Sequence, residues 1–332
     1  MRIATARACA NVALVKYWGK RDDRLNLPAT GSLSLTLGEL TAVATISPTG
    51  TAEGPRFRQD GVEVGGTAGR RMAEFLDLVS ATYDPDTRLR ADVTANFPVG
   101  AGLASSAAIF CAVAAAAVST CGGRISREDL SGLARRGSGS AARSVYGGLV
   151  EWRRGERGDG SDSIAIPIES DPDWSLGMAV AIVSEAKKAF ASRDAMRHVE
   201  ATSPLFPGWL AAQDADLAAA REAIAARDLP RLGTIAEENC LRMHATSMAA
   251  RPPVLYWLPA TLALMRRVVE IREAGTPAYF TIDAGPQVKV LCASQDLPAV
   301  AAGLRDVPGV VRIVCSGPGP GVSMVAGEAP WR

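Results

Sequence analysis

The segment Pro98-Val99-Gly100-Ala101-Gly102-Leu103-Ala104-Ser105-Ser106-Ala107-Ala108 decides how the rest of this sequence is read. Its small residues let the backbone approach a ligand closely, and an Ala-rich helix is predicted to open at Gly102. A helix N-terminus presents unpaired N–H groups and the positive end of the helix dipole, which suits phosphate. Ser105 and Ser106 add hydroxyls able to reach phosphate oxygens or a Mg2+ ion. A tight Gly turn, capped by serine ahead of a buried helix, would use the same residues, and this segment alone leaves both readings open. It is not a Walker A loop, because no Lys-Ser or Lys-Thr follows the glycines. Its glycine spacing is not that of a dinucleotide fingerprint either.

Working outward, residues 89–95 read as the strand that leads into this segment. Residues 32–37 alternate and 41–46 are β-branched and apolar, so the first 60 residues read as strands and turns, followed by a helix over 70–79. Downstream, 126–135 reads as a helix with Ser126 as its N-cap. Acidic and Pro-containing residues over 169–174 break the pattern, which places the domain division there: 1–175 with the Gly/Ser loop, then 176–332. The second half offers a buried-type strand over 176–184 and helices near 211–227 and 260–273, the latter capped by Gly275. Strands over 278–282 and 288–292, a helix over 297–305 and a strand over 310–315 complete it. That β-α-β-like order predicts an α+β second domain.

Composition narrows the function. The 332 residues are 48% hydrophobic and 21% charged, the profile of a soluble globular protein with room for one large core or two medium ones, of which two are expected. A net charge of +1 predicts neither a nucleic-acid nor a membrane partner, so any anion site is local. Met1 to Ala10 has no signal-peptide core, and the apolar run 107–118 is too short to span a bilayer. Six cysteines without a C-x-x-C pair read as free thiols, and a cytoplasmic location is expected. The two histidines, His198 and His244, lie in different segments, which argues against a His-based metal site and a Ser-His-Asp triad. Of 36 Lys and Arg, only five are lysine: Lys16 with Lys20, Lys187 with Lys188, and Lys289 apart. In an Arg-rich chain a lysine can mark a place that needs a compact ammonium, or the pairs can be chance.

Single residues read two ways. Asp283 follows an apolar strand and precedes Ala-Gly-Pro, as an active carboxylate or a turn-forming Asx residue would. Arg143 lies in a Gly/Ser-rich loop, as an anion fork or a surface arginine. Lys16, Tyr17 and Lys20 fit a site or a half-buried strand edge. Ser192-Arg193 fits a helix start with Ser192 as cap.

Three further stretches join the first. Ala10-Asn11-Val12-Ala13-Leu14-Val15-Lys16-Tyr17-Trp18-Gly19-Lys20-Arg21 is followed by Asn26-Leu27-Pro28 and Ser32-Leu33-Ser34-Leu35-Thr36. Then come Gly137-Ser138-Gly139-Ser140-Ala141-Ala142-Arg143-Ser144-Val145-Tyr146-Gly147-Gly148 and Phe280-Thr281-Ile282-Asp283-Ala284-Gly285-Pro286. The P-x-x-x-G-L-x-S-S-A pattern resembles the phosphate loop of the GHMP small-molecule kinase superfamily. With Ala104 where many of those kinases carry Gly, the set resembles the diphosphomevalonate decarboxylase family, from residue 10 to about residue 290.

The resemblance implies an α+β, two-domain GHMP-kinase-like fold. Its N-terminal part would be ribosomal-protein-S5-domain-2-like and its C-terminal part ferredoxin-like, with the site in the cleft and a homodimer as the assembly. It implies ATP and Mg2+ as cofactors and mevalonate 5-diphosphate as substrate. The 3-hydroxyl is phosphorylated, phosphate departs, CO2 is lost and isopentenyl diphosphate forms. Asp283 would orient or deprotonate that hydroxyl, Lys16 would keep Asp283 ionised, and Arg143 would clamp the substrate carboxylate. Tyr17, Lys20, Ser138, Ser140, Ser192 and Arg193 would hold the diphosphate, and Ala13 and Met196 would line the apolar wall. Gly100, Ala101, Gly102, Leu103, Ala104, Ser105, Ser106 and Lys187 would hold ATP, with Ser106 at the metal. Gln287 and Ala142 are less typical neighbours. Competing readings are a mevalonate 5-phosphate decarboxylase, a 3-kinase that does not decarboxylate, and a ligand-binding or regulatory protein on the same fold.

Overall fold

The computed structural model describes residues 2–49, 56–98, 102–103, 105–171, 173–186 and 190–331. The first half runs β1 (Ala4–Val15), β2 (Lys20–Asp22), β3 (Leu27–Pro28), β4 (Ser32–Thr49), β5 (Arg56–Gln59), β6 (Val62–Glu63) and α1 (Gly66–Tyr83). It continues through β7 (Arg88–Ala95), α2 (Ser105–Thr120), α3 (Arg127–Gly137), a 3-10 turn (Gly139–Val145), β8 (Leu149–Trp152) and β9 (Ala165–Pro167). The second half holds β10 (Leu176–Ile182), α4 (Ser192–Thr202), α5 (Phe206–Ala225), α6 (Leu229–Met248) and α7 (Pro259–Glu273). After these come β11 (Ala278–Ile282), β12 (Val288–Ala293), α8 (Leu297–Arg305), β13 (Arg312–Ser316) and β14 (Ser323–Ala326).

β1 and β4 pair antiparallel along nearly the whole of β1 and form the spine of an eight-stranded sheet ordered β14-β1-β4-β7-β5-β6. β8 pairs with the early part of β4 and carries β9 beyond it. α2 lies across β1 and β4, with every residue but Ser106 buried. An all-round apolar helix belongs inside, and its alanines allow close approach to the sheet. Ser126 caps α3 by accepting from the Asp129 N–H at 3.0 Å, as its sequence position predicts.

The second sheet is antiparallel in the order β11-β12-β10-β13. With helices between β10 and β11 and between β12 and β13, this is the ferredoxin-like β-α-β-β-α-β arrangement. All residues of β10 and β11 are buried, so both faces are covered. The faces alternate: Met178, Val180, Ile182, Tyr279 and Leu291 join the core that contains β1 and β4, whereas Ala179, Phe280, Val288 and Val290 pack on the far side. The larger core therefore runs continuously across both halves. The tail also returns to the first sheet, where Thr5 pairs with Ala326.

Several elements differ from the sequence expectation. Nothing in the sequence reading marked α6, because its buried face carries Asn239, His244, Thr246 and Ser247, which blur the apolar period. β14 is a four-residue, largely exposed edge strand, too short for alternation to show. β10 stops at Ile182, short of 184. Gly275, at φ +101°, stands just past the end of α7, where a left-handed residue closes a helix. Among the described residues, no helix is long and apolar enough to cross a membrane.

Candidate active site

The site forms where the turn after β11 meets the end of β1. Two residues of α6 fix the last residue of β11. The Ile282 N–H donates to Cys240 Sγ at 3.1 Å, and His244 Nε2 lies 3.2 Å from the Ile282 carbonyl. Asp283 follows at once, and the Gly285 N–H closes a tight turn on the Asp283 carbonyl at 2.7 Å. Its carboxylate Oδ1 accepts from Lys16 Nζ at 2.7 Å, and Oδ2 faces Lys289 Nζ at 3.2 Å. Oδ2 is buried and, among the described residues, has no hydrogen-bond partner of good geometry. Burial alone would raise the carboxyl pKa, but the two ammoniums outweigh it and hold the group well below the usual carboxylate range.

Lys16 is 1% exposed. Its backbone N–H donates to Asn239 Oδ1 at 2.8 Å, and its Nζ also donates to the Ala13 carbonyl at 2.8 Å. Asn239 is held in turn by Asp216 at 2.7 Å, which pairs with Arg242. A partly buried polar network on α5 and α6 therefore sets the height of Lys16. Lys289 is fully buried in β12, and its Nζ, ion-paired with Asp283, donates to the Gly102 carbonyl at 3.0 Å.

Arg143, on the 3-10 turn, is 3% exposed. Its Nε donates to Asn11 Oδ1 at 3.1 Å and its Nη1 to Ser32 Oγ at 2.6 Å. The Asn11 amide donates to the Ser140 carbonyl and to Ser144 Oγ, so β1 and the turn fix the guanidinium together. Burial pulls its pKa down to about 10, and the nearby Asp283 and Tyr17 act the other way. It stays cationic at neutral pH. Its guanidinium stands 6.0 Å from the Trp152 ring, against which Tyr17 packs edge-on at 4.8 Å.

Beside Tyr17 lies a cluster of cations. Burial raises the pKa of the Tyr17 phenol, while Arg193, Arg143 and Arg71 all oppose that. Lys20 donates to Asp23 at 3.0 Å and to Asn26 at 2.9 Å. Burial lowers its pKa, and Arg193 and Arg71 lower it further. Ser138 is buried at the end of α3, and Ser140 is half-buried in the turn. A Cβ on the intervening Gly139 would stand 2.7 Å from the Tyr17 hydroxyl, so only glycine lets the turn close on that ring. Mutually repelling cations held beside Tyr17, with Asp23 as their facing carboxylate, favour a polyanionic ligand.

Arg193 lies in the first turn of α4. Ser192 is the first helical residue rather than the cap, because Ala191 takes the extended cap conformation. Met196 is buried with Trp18, Phe206 and Ala284, next to the Asp283 turn, and Ala13 is buried in β1. Gly102 sits at φ +87°, and a Cβ there would come within 2.9 Å of Gly285 Cα. The Gly/Ser loop thus abuts the Asp283 turn. Leu103 is in the core, Ser105 begins α2 and is buried, and Ser106 is exposed at the helix start. The helix opens at Ser105, not at Gly102. Gly100, Ala101, Ala104 and Lys187, with Lys188, lie outside the described residues.

Among the described residues, no group of three His, Cys, Asp or Glu side chains could hold a metal. The exposed Ser106 hydroxyl at the start of α2 is a hard oxygen donor of the kind that suits Mg2+ beside phosphate.

Sequence reading assigned no role to Asn11, Ser32, Arg71 or Lys289. Arg71 sits on α1, donates to the Gly137 carbonyl at 2.9 Å and covers the Phe110 ring at 4.5 Å. Asn11 and Lys289 did carry a signal, each being a polar residue inside an apolar strand. Nothing in the pattern around Arg71 set it apart.

Two family models match the chain. One describes a diphosphomevalonate decarboxylase-like N-terminal domain, over residues 8–165. The other describes a mevalonate 5-diphosphate decarboxylase C-terminal domain, over residues 178–312. The chain is 36% identical to the diphosphomevalonate decarboxylase of Gibberella zeae over 311 residues, covering 88% of this chain and 81% of that protein. Its fold superposes on mevalonate diphosphate decarboxylase from Staphylococcus aureus with a TM-score of 0.92 and 36% identity, covering 98% of each chain. A second structure, MDDEF in complex with MVAPP, AMPPCP and magnesium, gives a TM-score of 0.91 at 38% identity, covering 97% of this chain and 98% of that one.

Proposed function

The chain belongs to the diphosphomevalonate decarboxylase family, and from that premise we propose how its side chains divide the reaction. It is an ATP-dependent carboxy-lyase that converts mevalonate 5-diphosphate and ATP into isopentenyl diphosphate, CO2, ADP and phosphate. The observation that carries the assignment of roles is the Asp283 carboxylate, ionised between two ammoniums with Oδ2 open to a donor.

Asp283 Oδ2 accepts the 3-hydroxyl proton as the terminal phosphoryl group passes from ATP to that oxygen. A tertiary alcohol is a poor nucleophile until its proton is taken, so a placed base matters. Phosphoryl transfer itself needs alignment and charge neutralisation, which the N-terminus of α2 with Ser105 and Ser106 supplies. Mg2+, when bound with the nucleotide, would neutralise phosphate charge beside Ser106. Lys187 would join it.

Arg143 holds the substrate carboxylate. As phosphate departs from the tertiary carbon, the C–CO2 bond breaks and its electrons form the double bond. Lys16, Lys289 and Arg143 outnumber Asp283 in charge, which favours the departing phosphate and a bound carboxylate. Tyr17, Lys20, Ser138, Ser140, Ser192 and Arg193 take the diphosphate, with Arg71 beside them. Energy from that remote grip aligns the reacting end. Ala13 and Met196 face the methyl-bearing carbon.

Two units, 1–175 and 176–332, would close on the substrate between them. A cytoplasmic homodimer is the assembly the family resemblance supports, and six free thiols fit a reducing compartment.

The test is to mix the protein with Mg-ATP and mevalonate 5-diphosphate and follow CO2 and ADP together, with mevalonate 5-phosphate in parallel. Equal release of both from the diphosphate alone is expected. ADP without CO2 would make the protein a 3-kinase, and turnover of the monophosphate alone would overturn the assigned diphosphate site.

A further inference from the structure

Lys289 is costly where it stands. β12 is buried along Val288, Val290, Leu291 and Cys292, each 0% exposed, and Lys289 sits among them at 0%. An ammonium taken out of water loses several kcal/mol of hydration, which an aliphatic side chain would not. Its neighbours across the sheet are Thr281 on β11 and Val180 on β10, so nothing in the strand pairing itself needs a charge. Burial accordingly lowers the Lys289 pKa, and the Asp283 carboxylate pulls it back up.

The ammonium has two partners on different elements. One is Asp283 Oδ2, at 3.2 Å. The other is the Gly102 carbonyl, at 3.0 Å, three residues before the start of α2. Those two elements already touch, since a Cβ on Gly102 would meet Gly285 Cα at 2.9 Å and the Ala284 carbonyl at 3.4 Å. Lys16 reaches the same carboxylate, but its Nζ makes its other contact with Ala13, on β1, the strand that leads into it. Of the two lysines, Lys289 alone spans from the carboxylate to the Gly/Ser loop.

We infer that Lys289 is a positioning residue that braces the Asp283 carboxylate and the phosphate loop against each other. The inference rests on the reading of Asp283 as the base and of the loop as the nucleotide site. One ammonium then fixes both where the proton acceptor points and where the N-terminus of α2 presents its donors. In-line transfer needs both within a fraction of an ångström, and a misplacement of about 1 Å can cost about a hundredfold in rate. A lysine serves because one compact ammonium can pair with the carboxylate by charge while donating a hydrogen bond to the Gly102 carbonyl.

The experiment compares Lys289→Met, Lys16→Met and Asp283→Asn, each first shown to be folded by its thermal transition. Two quantities are read: kcat with Mg-ATP and mevalonate 5-diphosphate, and the Kd of a fluorescent ATP analogue with Mg2+ in the absence of substrate. All three variants are expected to lose kcat by at least about tenfold. Only Lys289→Met is expected also to weaken analogue binding, by about fivefold or more, a loss of roughly 1 kcal/mol on the RT ln K scale. A residue that merely stabilised the fold would lower the melting temperature and leave both quantities of the folded enzyme unchanged. Folded Lys289→Met that keeps either wild-type kcat or wild-type analogue affinity overturns the brace. Near-normal kcat in Asp283→Asn overturns the base assignment instead, so the two failures are distinct. Should the methionine variant not fold, Lys289→Gln, which keeps a polar head without the charge or the reach, is read in the same way.

Discussion

Lys16 Nζ lies 2.7 Å from Asp283 Oδ1 although 267 positions separate them in the chain. Lys16 is pinned by Asn239, and Ile282, the residue before Asp283, is pinned by Cys240 and His244, all three on α6. The helix that the sequence pattern hides is thus the one that brings base and ammonium together. Lys16→Met should raise the Asp283 pKa, because losing an opposite charge favours the neutral acid. The acid limb of kcat/KM should then move to higher pH, read from a pH–rate profile. An unmoved limb would separate Lys16 from the protonation of Asp283.

Among the described residues, Arg143 depends on Asn11 for one of its two side-chain hydrogen bonds. Asn11→Ala leaves a buried guanidinium N–H without its acceptor, at a cost of about 1–3 kcal/mol in stability. With the fork loosened, kcat should fall by about tenfold or more, and a chemical denaturation curve on the same sample gives the stability loss. Arg143→Lys should be worse for kcat, since a single ammonium cannot bridge Asn11, Ser32 and a carboxylate as a planar fork can.

His244 governs part of the acid sensitivity of the fold. Burial lowers its pKa to about 3, only partly offset by the Ile282 carbonyl, against an ordinary value of 6.5. Below pH 6.5 the unfolded chain takes up a proton that the native state refuses. The stabilisation is thus whole above 6.5 and drains away as pH falls toward 3, by up to about 1.4 kcal/mol per pH unit. Replacing His244 with Gln should flatten stability against pH between about 4 and 6. An identical slope in the variant would place the sensitivity elsewhere.

Gly102 and Gly61 offer a controlled pair. Both take left-handed backbone, at φ +87° and +80°, but only Gly102 would press a Cβ onto another segment. Alanine at either position should destabilise by about 1–2 kcal/mol through the backbone. At Gly102 the Cβ also pushes on Gly285, so kcat should drop there while Gly61→Ala keeps wild-type kcat. Equal kcat in both would mean that the loop and the Asp283 turn tolerate separation.

The loop-to-helix transition, the strand ending at Ile282 and the Ser126 cap were legible in the sequence because each depends on neighbours in the chain. Periodicity, caps and glycine turns report local dihedral preferences, and those hold whatever packs around them. The order of the motifs likewise pointed to the family, and with it to Asp283, Lys16 and Arg143. Tertiary structure decided what those residues touch. Asp283 could as well have been an Asx turn until its carboxylate turned out to face two lysines instead of its own backbone. Lys289 and Arg71 gained meaning only when β12 and α1 came to lie beside Asp283 and Tyr17. The charge state of the carboxylate followed the same rule, since it is a balance of burial against ions brought from distant segments. Sequence pattern fixes which way a side chain leaves its element, but only packing between elements fixes what it meets.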